Sequence, residues 1–99
     1  MHPLPAVPEL EALARRVVWF KAPADALSMP AHFVAHVLTF GTHEDVSVLR
    51  RFVSDDDLRE ALTCAPPGVF DDRSWAYWNL SLLDRYPAPP RPSRAFERG

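Results

Sequence analysis

Three glycines, one cysteine and one lysine in 99 residues leave several chemistries without material. Three glycines cannot build the glycine-rich loop that cradles phosphates in nucleotide-binding folds. The single thiol, Cys64, has no internal disulfide partner, and in a chain without a secretion signal it reads as cytosolic. No base adjoins it in sequence, so the plainer account is a small, partly buried hydrophobe at a helix end. The opening "MHPLPAVPEL" lacks the basic region and long apolar run of a signal peptide. No window approaches 18 consecutive apolar residues, so no membrane-spanning helix is expected.

What is present is globular composition: 47% hydrophobic and 24% charged residues, with eleven prolines as the unusual figure. Ninety-nine residues make one domain, which buries roughly 60–65% of the surface its unfolded chain exposes. The charge is uneven. Residues 85–99 sum to +3, whereas the first 84 carry 7 basic and 12 acidic side chains. An acidic body with a basic tail argues against a body that wraps nucleic acid, and leaves the Arg-bearing tail as the candidate for such contacts.

Along the chain, residues 1–8 read as an extended, proline-rich lead-in, 9–86 as one helical domain, and 87–99 as a flexible Pro/Arg-rich tail. Leu10, Leu13, Val17 and Phe20 fall on one face of a first helix. Helix is favoured to about Arg16, while "VVWF" at 17–20 fits either helix or a short strand. "APADALSM" reads as a connector with one helical turn. Pro30 then opens a helix whose apolar face is Phe33, Val34, Val37, Leu38 and Phe40, and Gly41 is its stop. Thr42 with Asp45 approximates a capping box, and Val46, Leu49 and Val53 mark the inward stripe of the next helix. Ser54 caps another helix, with Leu58, Ala61 and Leu62 inward. After the "APPG" break, Asp71 or Asp72 caps the last. That helix carries Trp75, Trp78, Leu82 and Tyr86 on one face, with Tyr77, Leu80 and Leu83 elsewhere, an all-round apolarity that suits a central helix. The expected fold is an all-α bundle of four or five short helices with extended proline-rich ends.

The candidate chemical sites thin out on inspection. His32 and His36 stand at metal-sharing spacing, but Phe33 occupies the position where a zinc protease needs its glutamate. Sequence spacing completes no ligand set, so the pair reads as surface or rim histidines. Asp55, Asp56 and Asp57 point about 100° apart on a helix, which suits a helix N-terminus better than a magnesium site. Ser74 lacks a nucleophile elbow. No catalytic, cofactor-binding or metal residue is assigned, and the chain reads as no enzyme. Trp75 and Trp78 are expected in the core; Trp19 fits core or interface alike. A helix-turn-helix reading of 41–62 would lead its recognition helix with three aspartates toward a polyanion, which is poor design.

The aromatic opening "VVWF", the "HVLTFG" helix end, "HEDVSVLRRFVSDDDLREAL" and "APPGVFDDRSWAYWNL" together resemble a family of small bacterial helical proteins. Members of that family are often found beside nucleotidyltransferase toxins of the abortive-infection type. The likeness spans about residues 17–84, and its motifs are structural rather than catalytic. It implies an antitoxin-like, cytoplasmic protein-interaction module that binds and neutralises such a toxin. An acidic face would suit an enzyme's basic surface, so the candidate partner-binding residues are Asp55, Asp56, Asp57 and Glu60, then Trp19, Arg50 and Arg51. The alternatives are a DNA-binding regulator of helix-turn-helix type and, more remotely, a metal-dependent enzyme. A self-complementary apolar patch would also allow a homodimer.

Overall fold

Each helix begins where the sequence supplies a device for starting one. The computed structural model describes residues 1–92 and is helical throughout, with no strand among the described residues. The helices are α1 (Pro8–Val17), α2 (Pro23–Leu27), α3 (Pro30–Phe40), α4 (His43–Leu49), α5 (Asp55–Thr63) and α6 (Asp72–Leu83). The first three open on proline, whose fixed φ suits the first turn and whose missing N–H costs nothing there. The last three are capped by side chains. Thr42 and Asp45 form a full capping box on α4, and Ser54 and Asp57 form another on α5. On α6, Asp71 Oδ1 accepts from the Ser74 N–H at 2.7 Å. Each such cap stabilises its helix by about 1 kcal/mol.

The described residues form six helices rather than four or five, because the "PADAL" turn closes as a helix of its own. Helix α1 runs to Val17, and 17–20 contains no strand: the chain leaves the helix in a tight turn in which the Lys21 N–H donates to the Val18 carbonyl. Phe20 therefore falls beyond the helix and is exposed, not aligned with Leu10, Leu13 and Val17.

The central element is α3, not α6. Six consecutive α3 residues, Phe33 to Leu38, are buried, so α3 is covered all round, and it packs against all five other helices. Helix α6 buries only Trp75, Asn79 and Leu82. Trp78, expected in the core, and Leu83 are half-buried against that core, while Tyr77 and Leu80 face solvent, and Tyr86 lies past the helix end and is 82% exposed. Hydrogen bonds place α6 on the bundle: Trp78 Nε1 donates to the Leu38 carbonyl at 2.9 Å, and Arg59 Nε donates to that of Leu82 at 2.9 Å.

Gly41 does end α3, by close approach rather than by a left-handed turn. Its φ is −76°, and a Cβ there would stand 2.6 Å from the Val37 carbonyl oxygen. Cys64 is exposed instead of partly buried.

The proline-rich ends are extended, as their composition requires, but the described parts are tied down. The Leu4 N–H donates to the Leu27 carbonyl. At the other end, Trp75 Nε1 donates to the Pro89 carbonyl at 2.7 Å, and Arg91 bonds to the Phe70 carbonyl and to Asp72 at 2.6 Å each. The Gly68 N–H then reaches the Pro92 carbonyl at 3.2 Å. The rest of the expected tail, 93–99, lies outside the described residues.

Candidate interaction surface

The α1–α2 connector and the last turns of α3 enclose a cleft of about 540 Å³. Its floor and walls come from Val17, Trp19, Phe20, His32, His36 and Phe40, with Arg16 and the 67–69 turn at the rim. His36 organises the interior. Its ring lies 5.7 Å from Phe20, 5.8 Å from Phe40 and 4.3 Å from His32, centroid to centroid. The His36 Nδ1 is 2.9 Å from the His32 carbonyl, which can only accept, so the proton sits on Nδ1. Trp19 meets Phe20 edge-on at 5.7 Å.

The cleft's aromatic residues are unusually open. Trp19 is 78%, Phe40 63% and Phe20 53% exposed, which leaves roughly 300–500 Å² of aromatic surface in water. A patch of that size equals the largest found on most monomers and is often functional.

The charged side chain at the cleft's rim is already paired. Arg16 at its rim reaches Asp45 at 2.7 Å, joining α1 to α4. Burial pushes the Asp45 carboxyl up, but the Thr42 N–H and Arg16 outweigh it and hold the group below its ordinary value. The His32 imidazole shifts the other way from a cation's interest: desolvation first, then the neighbouring His36 and Lys21, hold its pKa below 6.5. At neutral pH the His32 ring is therefore uncharged and presents an apolar, polarisable wall.

The acids of α5 expected to form a partner-binding face are already engaged within the chain. Asp55 lies 3.7 Å from Arg50, Asp56 is 2.8 Å from Arg59, and Glu60 is 2.7 Å from the Met1 ammonium. Asp57 accepts from the Ser54 N–H in the capping box. Arg51 faces Glu9 at 3.9 Å and stacks over Phe52. Of the candidate residues, Trp19 alone belongs to the cleft; the other six surround the α4–α5 corner. Phe20 and Phe40 are the functional candidates that periodicity missed, since it assigned both to the core. His32 and His36 come together, yet among the described residues no group of three or more His, Cys, Asp or Glu side chains gathers to hold a metal ion. No described helix is long and apolar enough to cross a membrane.

Comparison with protein-family models, with curated proteins and with solved structures returns no match.

Proposed function

We propose that this protein is a non-enzymatic interaction module, an antitoxin-like partner that binds and neutralises a nucleotidyltransferase toxin. The observation that carries the interaction reading is the open aromatic cleft, with Trp19, Phe20 and Phe40 left in water around two histidines. Aromatic side chains on a preformed surface are the usual anchors of protein interfaces, because they bury a large area at little conformational cost. The choice of partner class comes from the resemblance of residues 17–84. An apolar protrusion of the enzyme enters the cleft, and its basic surface meets the acidic turn of α5 at Asp55, Asp56, Asp57 and Glu60. The internal pairing of those four acids makes them secondary, setting approach more than grip.

The regulator reading has less behind it. Helix α5 opens on three aspartates, and Arg91 of the tail already serves the Phe70 carbonyl and Asp72. The deciding experiment is a nuclease-treated pull-down with the tagged chain, followed by assay of the captured enzyme. A nucleotidyltransferase recovered at near-equal stoichiometry, and inhibited by added protein, supports the proposal. Recovery of DNA alone in a parallel sample without nuclease, or of a nucleotidyltransferase whose activity is untouched, sinks it.

A further inference from the structure

We infer that His32 and His36 form an open two-histidine site for a late transition-metal cation, Cu²⁺ before Ni²⁺ or Zn²⁺, on the wall of the aromatic cleft. The inference holds whether or not the partner is the enzyme proposed above. Four residues apart on α3, the two side chains share one helix face, and both line the cleft. His36 is set up as a ligand. Its ring is buried, and its Nδ1–H donates to the His32 carbonyl at 2.9 Å, the common way for a protein to fix the tautomer and heading of a ligating imidazole. The lone pair is then on Nε2, which no described residue engages in a hydrogen bond. Phe20 and Phe40, at 5.7 and 5.8 Å from the ring, supply the apolar shell that limits water around such a site.

The spacing of the rings selects the metal. A cation about 2.0 Å from each nitrogen stands about 3.2 Å from each ring centroid, so rings meeting it at a right angle have centroids about 4.5 Å apart, against about 5.2 Å at the tetrahedral angle. The observed separation is 4.3 Å. It matches adjacent positions of a tetragonal ion such as Cu²⁺ or Ni²⁺ better than the tetrahedral angle of zinc, and Cu²⁺ heads the affinity order for nitrogen ligands. The ring planes lie 39° apart, and His32, half-buried and with no ring hydrogen bond among the described residues, can turn about χ2 to bring its nitrogen round. Its pKa, held below 6.5, leaves that ring neutral at pH 7, the form a metal needs. Lys21, held 3.4 Å from the Met29 sulfur, acts on His32 as well, and its solvent-screened charge weakens the site without filling it. Among the described residues no third His, Cys, Asp or Glu joins the pair. The other positions fall to water, or to a donor on whatever enters the cleft.

The test titrates the full chain with Cu²⁺ alone, in a non-chelating buffer, by calorimetry and electron paramagnetic resonance. The background is H2Q/H43Q/C64S, which removes the other two histidines and a thiol that Cu²⁺ would oxidise. One equivalent should bind, with hyperfine splitting from two imidazole nitrogens. Adding His32→Gln should weaken binding by about tenfold or more, because the second bond of the pair forms within the molecule. Cu²⁺ should raise the melting temperature of the background and not that of its H32Q form, since the pair is assembled only in the folded helix. His36 is buried, so H32Q, at the half-buried ring, decides. Affinity within about twofold of the background, an H32Q form that Cu²⁺ stabilises equally, or zinc bound more tightly than copper each overturns the inference. The titration needs no partner, so its failure is separate from a failed pull-down.

Discussion

The first turn of α5 and the cleft beside α3 are the two surfaces with a claim to bind something, and they differ in what their side chains already have. On α5, every acid has a counter-charge or a cap hydrogen bond within the chain. At the cleft, Phe20 and Phe40 flank the His36 ring and Trp19 meets Phe20 edge-on, yet all three remain more than half exposed. Conspicuous charge is thus locally satisfied, whereas the quieter apolar side chains carry the unspent free energy of burial, roughly 25 cal/mol for each Å² removed from water. The cleft is the stronger candidate for affinity, and α5 for orientation.

The sharpest break of that comparison is the triple variant W19A/F20A/F40A. Affinity for the protein partner should fall by about a hundredfold or more, near 3 kcal/mol, by titration calorimetry. The melting temperature should stay within about 3 °C, because exposed side chains contribute little to the fold. Unchanged affinity would move the binding site away from the cleft.

How much of this was readable in the sequence depended on the distance over which each cause acts. Capping is local: Thr42 with Asp45, Ser54 with Asp57, and Asp71 before Ser74 all act over three residues, so Thr42 and Ser54 were legible as caps and the last cap as one of two adjacent aspartates. Inward stripes such as Leu58, Ala61 and Leu62 were legible for the same reason. Coverage is not local. Tyr77, Leu80 and Tyr86 made α6 look central because nothing in its own sequence says which of its faces find a neighbour. Phe40 lies on the same side of α3 as Phe33, seven residues earlier, yet is 63% exposed where Phe33 is fully buried. The pairing of Glu60 with Met1 spans 59 residues, and no periodicity anticipates it.

A second variant separates the two roles inside α5. Ser54→Ala removes the acceptor for the Asp57 N–H, and should cost about 1 kcal/mol in urea unfolding while leaving partner affinity within twofold. A large affinity loss instead would make the capped turn itself part of the interface.

The cleft has a pH signature of smaller size. The folded pKa of His32 lies below its unfolded value of 6.5, so the unfolded chain takes up its proton first as pH falls. Stability is therefore fully present above 6.5 and declines as pH drops from there through the folded pKa. His32→Gln should flatten that part of the stability profile, measured by denaturant midpoints between pH 5 and 8. Protonation also charges the cleft wall, so affinity for an apolar anchor should weaken in the same direction. A profile unchanged by the substitution would mean that His32 does not sense its burial in the cleft.

The smallest effect is expected where the charge is densest. In the variant D55N/D56N/E60Q, Asp57 is kept because it caps the helix. The three losses should lower partner affinity less than about fivefold, mostly through a slower on-rate that converges with the parent as salt rises. Each acid must leave Arg50, Arg59 or the Met1 ammonium before it can serve a partner, and that exchange of one ion pair for another returns little. A tenfold loss that persists at high salt would show that the partner's cations outbid those internal ones, and would return the primary contact to α5.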